Sequence, residues 1–237
     1  MSFGGWHIAV LIPARDEEEL LPRCLRSVQV ARLRLPPGVT SDVVVVADSS
    51  QDGTWETALR ILRGDGAVVR SQAGAVGAAR SLAAKIALQR YAGPRDRCWL
   101  ANTDADCEVP QDWLLNQLAT AQRGVAAVAG IVDVDSFDDH DPEVAQRFRA
   151  SYLLHADGTH PHVHGANLGV RADAYLRVGG WPQLTTAEDH DLWNRLRHAG
   201  EAWLSDARLQ VLTSGRRVGR APLGFAGALA AHNGTPA

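Results

Sequence analysis

Cysteine is scarce: Cys24, Cys98 and Cys107 are the only three in 237 residues, and no CxxC pair occurs. An odd, small count excludes a disulfide scaffold and makes a reducing compartment the simpler expectation. Surplus positive charge is also missing. With 24 Lys and Arg against 27 Asp and Glu, the net charge is −3. A protein that tracks many phosphates along nucleic acid needs a basic surface, so no nucleic-acid partner is expected. A substrate with one or two phosphates stays open, because a bound cation supplies positive charge locally. Long apolar runs are lacking too, since no stretch approaches the ~20 residues of a membrane span. The opening MSFGGWHIAVLIPARDEEE has no basic leader, and its apolar run breaks at Pro13. It reads as neither signal peptide nor span, which gives a cytoplasmic expectation with peripheral membrane contact left open.

What is present suits a globular chain: 46% apolar and 22% charged residues, enough to bury one large core. The first half alternates. HIAVLIP, DVVVVAD, GAVVRS and RCWLANTD read as buried strands, and helical patterns follow each of the first three. Asp16 is expected to cap the first helix. Such alternation predicts an α/β fold, a mostly parallel sheet with helices on both faces. The second half is less regular. Helices are expected over QDWLLNQLATAQRG, PEVAQRFRASYLLHA and TTAEDHDLWNRLRHAG, and a strand over VAAVAGIVDVDS. EAWLSDARLQVLTSGRR reads as one or two short strands, and the residues from 216 to 237 as a tail with a loose end.

In open parallel sheets the ligand site lies beyond the carboxyl ends of the strands. Those ends carry Pro13, Ala14 and Arg15, then Asp48, then the pair Asp104 and Asp106. Two carboxylates one residue apart suit a hard divalent cation such as Mg2+ or Mn2+ that keeps open positions for phosphates. Alone, the pair reads better as a turn cap, Asp104, beside a solvated acid, Asp106, because an isolated DxD is common by chance. Gly74 and Gly77 give close backbone approach to a ligand, and Arg80 follows on an apolar helix. Glu188, Asp189 and Asp191 fall in the first turn of a helix, where the dipole favours acids and where a carboxylate with a raised pKa would serve as a general base.

The ordered set VLIPARDEEELLPRCLRSV, VVVVADSSQDGT, GAVGAARSLA, NTDADCEVPQDWL, GANLGVRADAYLRVGGW and AEDHDLWNRLRHAG resembles glycosyltransferase family 2, over about Ile8 to Gly200. That resemblance implies a GT-A fold, Rossmann-like, in a single domain over 1–215. The nucleotide-binding half is about 1–108 and the acceptor half about 109–215. It implies an enzyme that moves a sugar from a nucleotide-diphosphate sugar to an acceptor hydroxyl, inverting and metal-dependent. Residue by residue, Pro13, Ala14, Arg15, Glu17, Asp48, Arg80 and Asp104 match the nucleotide segment. Asp104 and Asp106 match the DxD metal pair, and His164, which adjoins the Gly-Ala-Asn segment, could reach the diphosphate or the metal. Gly165, Ala166 and Asn167 match the donor-sugar segment, and Asp189 with its neighbour Glu188 the catalytic base motif.

The chain departs from the family pattern at ADSS, where many members have paired acids, so only Asp48 is left for the base. No Gln-x-x-Arg-Trp motif accompanies the others, which favours a single addition over processive synthesis. Arg216, Arg217 and Arg220 read either as a phosphate clamp or as a solvated basic segment. His155, His160, His162 and His164 admit a zinc site, since His160, His162 and His164 would share one strand face, but their spacing is not that of a familiar one. A flexible acceptor loop is the competing reading. Two other functions compete as well: a nucleotidyltransferase, for which the first strand lacks a Gly-rich, Lys-bearing phosphate loop, and a non-catalytic sugar-nucleotide-binding protein of the same fold. A homodimer is compatible with all of them.

Overall fold

The computed structural model describes residues 5–220 and 224–234. Seven strands form one sheet: β1 (His7–Ala14), β2 (Thr40–Asp48), β3 (Ala67–Ser71), β4 (Cys98–Asn102), β5 (Ala127–Val134), β6 (Leu168–Arg171) and β7 (Trp203–Thr213). Their order is β3-β2-β1-β4-β6-β5-β7. The helices are α1 (Leu21–Leu33), α2 (Thr54–Leu62), α3 (Val76–Arg90), α4 (Trp113–Gln122), α5 (Val144–Ser151), α6 (Ala172–Arg177), α7 (Glu188–His198) and α8 (Phe225–Ala230).

β1 is buried along its whole length, as a central strand covered on both faces must be. Its side chains alternate between two cores. Ile8, Val10 and Ile12 join α1, α2 and α4 on one face, whereas Ala9 and Leu11 join α3, α6 and α7 on the other. The alanines Ala79, Ala83, Ala84 and Ala87 give α3 a flat buried face against the sheet.

β1, β2, β3 and β4 run parallel, so their carboxyl ends share one edge. β6 runs antiparallel to both β4 and β5. Its beginning therefore arrives at the edge where β4 finishes, which brings the Gly165–Asn167 turn to the carboxyl ends. That reversal is how two halves of the chain meet at one site.

Three expectations change. Asp16 does not cap α1, whose N-cap is Leu20 with no side-chain bond. Asp16 takes a left-handed backbone conformation (φ 51°), and its Oδ1 accepts the Gln51 N–H at 2.7 Å. The acids after β1 tie down the start of α2 instead, with Glu18 Oε2 accepting the Gly53 N–H at 2.8 Å. Next, α5 ends at Ser151, short of the expected HA, because Tyr152 turns out to meet the Val132 N–H. Last, the segment after 215 folds back. Leu229 of α8 packs with Val144 and Phe148 of α5, and Phe225 lies against them.

Candidate active site

The turn after β4 presents the acidic pair. Cys107 N–H bonds the Asp104 carbonyl at 3.1 Å, closing a tight turn that leaves both carboxylates on the same side. Arg23 braces it from α1, donating from Nη2 to the Asp106 carbonyl at 3.1 Å and from Nη1 to Asp135 at 2.6 Å. Ligand atoms of Asp104, Asp106 and Cys107 lie within 4.8 Å of one another, the one such cluster found among the described residues. Burial raises the Cys107 thiol far above its ordinary pKa, so it stays protonated and leaves the two carboxylates as donors. Paired oxygen donors fit a hard cation such as Mn2+ or Mg2+. Burial also pushes the Asp106 carboxyl up to about 7, with Asp104 and Glu17 adding to the rise and Arg216 opposing it. A bound divalent cation would offset that rise, which is a second mark of fit.

Arg216 is the cation nearest to Asp106. Its Nη2 lies 2.8 Å from Asp106 Oδ2 and 2.5 Å from Glu17 Oε1, while Nη1 lies 3.0 Å from Glu17 Oε2. The approach to it is rigid. Gly215 donates to Asp135 at 2.9 Å, its carbonyl meets His140 Nε2 at 2.7 Å, and a Cβ there would collide with the Ser136 carbonyl. Arg220 donates to the Asp16 carbonyl at 2.9 Å. The basic segment is thus no solvated tail at Arg216, whereas Arg220 stays exposed while it holds the Asp16 carbonyl. A guanidinium on Asp106 competes with any divalent cation for that carboxylate. Arg216→Met is expected to tighten Mn2+ binding to the free protein about tenfold, the strength of a charge-assisted hydrogen bond, as read by titration calorimetry. Unchanged or weaker Mn2+ binding would exclude the competition.

Arg80 lies under the site, 2% exposed. Its Nη2 donates to Asp104 Oδ1 at 2.6 Å and its Nε to Glu188 Oε1 at 3.1 Å. One buried cation therefore joins the DxD turn to the first residue of α7. Trp181 packs against the guanidinium, with the ring centroid 5.3 Å away. Gly165 completes the cage, since a Cβ there would run into the guanidinium.

Asp189, next in α7, is tied to the turn that precedes β6. Its Oδ2 accepts the Gly165 N–H at 2.8 Å and its Oδ1 the His190 N–H at 2.8 Å. Ala187, before them, adopts a left-handed backbone (φ 58°) that a non-glycine residue enters only when its surroundings hold it there.

A cleft joins most of these groups. Pro13, Ala14, Arg15, Glu17, Asp48, Asp104, Asp106 and Arg216 line it. Asp48 spends Oδ1 on the Ala73 N–H at 2.9 Å, which fixes its carboxylate at the β2 end. Arg80, Gly165, Ala166, Glu188 and Asp189 lie outside that lining, and two further expected members are engaged elsewhere. Asn167 is spent in the core: its Nδ2 donates to the Ile131 and Leu209 carbonyls, both at 2.8 Å, and its Oδ1 accepts from Trp113 Nε1 at 2.9 Å. His164 does not join the carboxylate cluster, and its Nε2 meets the Tyr152 hydroxyl at 2.8 Å. Gly77 also differs from expectation. It lets the start of α3 press against the 182–184 loop, not against a ligand. Arg23, Tyr152 and Phe225 carried no sequence signal of their own, because each acts through partners far along the chain.

A family model described as Glycosyl transferase family 2 matches residues 9–179. Solved structures share the fold. TarS 1–349 of S. aureus in complex with UDP-GlcNAc superposes with a TM-score of 0.66 at 14% identity, over 92% of this chain and 61% of that one. The mannosyltransferase PcManGT of Pyrobaculum calidifontis, in complex with GDP-Man and Mn2+, gives 0.61 at 19% identity, over 94% and 68%. Against TarS 1–349 alone, the chain spans 60% of the other's length. At these identities the likeness establishes the fold. No curated protein matches the chain in sequence.

Proposed function

The chain belongs to glycosyl transferase family 2, and from that premise we propose that it moves a sugar from a nucleoside-diphosphate donor to an acceptor hydroxyl, in one inverting addition. The observation that carries the reading is the acidic turn of Asp104 and Asp106 facing Arg216 in one cleft, with Arg80 joining Asp104 to Glu188, the neighbour of Asp189. Pro13, Ala14, Arg15 and Asp48 form the end that takes base and ribose. Asp104 and Asp106 would hold Mn2+ or Mg2+, which neutralises charge on the departing diphosphate.

Asp189 removes the proton from the attacking hydroxyl. Its orientation is fixed in advance by the Gly165 N–H, so that no reorganisation is needed as the bond forms. The neighbouring acids are committed elsewhere: Glu188 to Arg80, and Asp191 to Arg195 at 2.7 Å. Glu17 and Arg216 close the phosphate end. The three unpaired, buried cysteines support a cytoplasmic setting. Among the described residues no helix is long and apolar enough to cross a membrane.

The test is calorimetric titration of UDP and GDP, each beside a matching nucleotide sugar, UDP-GlcNAc and GDP-Man, in Mn2+ and in EDTA. One diphosphate is expected to bind in Mn2+ and to lose most of its affinity in EDTA. Asp106→Ala should cost about 10- to 100-fold in Mn2+ and nothing in EDTA. Equal wild-type affinity with and without metal would sink the metal assignment. With acceptor present, release of nucleoside diphosphate supports transfer of the sugar, whereas release of pyrophosphate would make the protein a nucleotidyltransferase.

A further inference from the structure

Beside Asp189, three histidines stack. His160 and His162 have ring centroids 5.9 Å apart, and His162 and His164 6.0 Å, with planes within 21° and 12° of parallel. Their hydrogen bonds tell them apart. His160 Nε2 lies 3.2 Å from the Ala129 carbonyl, and His162 Nε2 lies 3.1 Å from the Leu153 carbonyl. A carbonyl only accepts, so both rings carry a proton on Nε2.

His164 faces a different partner, the Tyr152 hydroxyl at 2.8 Å from Nε2. That hydroxyl already accepts the Val132 N–H at 3.2 Å, so its own proton is free to donate. The phenol and imidazole planes lie within 10° of each other, which suits donation into the in-plane lone pair of Nε2. His162 stacks on the phenol at 3.9 Å and pins it. Burial pushes the phenol up to about 12 and the His164 imidazole down to about 4, so both are neutral near pH 7. A neutral imidazole that accepts at Nε2 carries its proton on Nδ1. His164 Nδ1 has no hydrogen-bond partner among the described residues.

The ring also stands in the right place. His164 directly precedes Gly165, whose N–H holds Asp189. It meets Phe225 edge-on at 6.0 Å, and Phe225 lines the same cleft as Asp104, Asp106 and Arg216. The ring therefore sits at the border of the cleft, behind Phe225 and next to the turn that holds Asp189, within reach of the group attached to the diphosphate.

Resting on the reading of this cleft as a sugar-transfer site, we propose that His164 donates its Nδ1–H to a hydroxyl oxygen of the donor sugar, with Tyr152 as the positioning residue that fixes the tautomer. Protons then run one way, from the Val132 N–H to the Tyr152 oxygen, from the Tyr152 O–H to His164 Nε2, and from His164 Nδ1–H to the sugar. A donor without a hydroxyl at that place would leave the N–H unpaired, which discriminates more sharply than an apolar contact does.

Two measurements decide it. Long-range 15N–1H spectra of the free protein should show His164 as the Nδ1–H tautomer, and His160 and His162 as Nε2–H. In Tyr152→Phe the His164 signal should move toward a tautomer mixture. An Nε2–H tautomer for wild-type His164 overturns the proposal. The second measurement repeats the titrations of both diphosphates and both nucleotide sugars on two variants. In His164→Ala the diphosphate alone should bind as in wild type, while the nucleotide sugar loses about fivefold to tenfold. His164→Asn, whose amide N–H falls near the Nδ1 position, should keep the affinity for the sugar. Unchanged nucleotide-sugar affinity in His164→Ala overturns the proposal even where the tautomer is as expected. If neither diphosphate binds wild type, the sugar-transfer reading itself fails and the inference falls with it, whatever the tautomer.

Discussion

Replacing Asp189 by Asn should lower transfer by about 10²–10⁴-fold while leaving donor affinity intact, because the change removes a general base and little else. The Asn carbonyl oxygen can still accept the Gly165 N–H that now meets Oδ2 at 2.8 Å, so the loop stays in place. Nor does the start of α7 suffer, since Asn serves at a helix N-terminus nearly as well as Asp. No neighbour can take over. Glu188 is 5% exposed and engaged by Arg80, and Asp191 is engaged by Arg195. Single-turnover rates with the bound donor measure the chemical step directly. Near-normal turnover in Asp189→Asn, on a donor and acceptor that the wild type uses, would remove Asp189 from the reaction and reduce it to a tether for Gly165.

The largest effect on stability is expected from Arg80→Met. Methionine roughly preserves the stem's volume but deletes the cation between Asp104 and Glu188. Breaking one side of a buried ion pair costs about 3–5 kcal/mol, because the remaining charge is left in a medium that solvates it poorly. Here most of the cost falls on Glu188, whose side chain is 7% exposed, and less on Asp104, which at 36% is partly screened by water. For a domain of this size that corresponds to a melting temperature lower by about 10 °C. Adding Glu188→Gln should restore much of it, since the stranded charge is then gone. Arg80→Lys should not, because a single ammonium lacks the fork that spans both carboxylates. A melting point within a degree or two of wild type in Arg80→Met would show that water already compensates the acids.

The legible parts of the sequence were those whose partners are local or whose pattern is unmistakable. HIAVLIP and DVVVVAD announced central strands because burial on both faces demands unbroken apolar runs, and the ends of DVVVVAD and RCWLANTD named Asp48 and Asp104. Position along the sheet edge then located Asp106, whereas Glu17 came only from the family resemblance. What stayed hidden depends on distance along the chain. Arg216 and Glu17 are 199 residues apart, and nothing near either residue signals the pairing. Asn167 was assigned to the donor-sugar segment by resemblance, yet its amide is consumed by two carbonyls and an indole that the sequence places 36 to 54 residues away. The alternating histidines suggested a strand face. They form instead an irregular stack, because Tyr152 and two backbone carbonyls compete for their nitrogens more effectively than a neighbouring strand does. α8 was masked by composition, since a Gly/Ala-rich segment has too few large apolar residues to show a helical face until Phe225 and Leu229 find α5.

The order of the strands also has a consequence during synthesis. β3, β2, β1 and β4 are complete once residue 102 has left the ribosome, and they can assemble as consecutive parallel units. β5 waits for β7, which ends at Thr213, and until then it is an uncovered edge. The counter-cation for Glu17 and Asp106 arrives only three residues later, at Arg216. At elongation rates of about 5–20 residues per second, the acidic turn exists for several seconds without the arginine that neutralises it. A nascent chain in that interval holds a sheet with one open edge and a cluster of carboxylates facing water. Closing the last strand and quenching the charge therefore fall within three residues of each other in synthesis, so the sheet edge and the acidic turn are covered almost together.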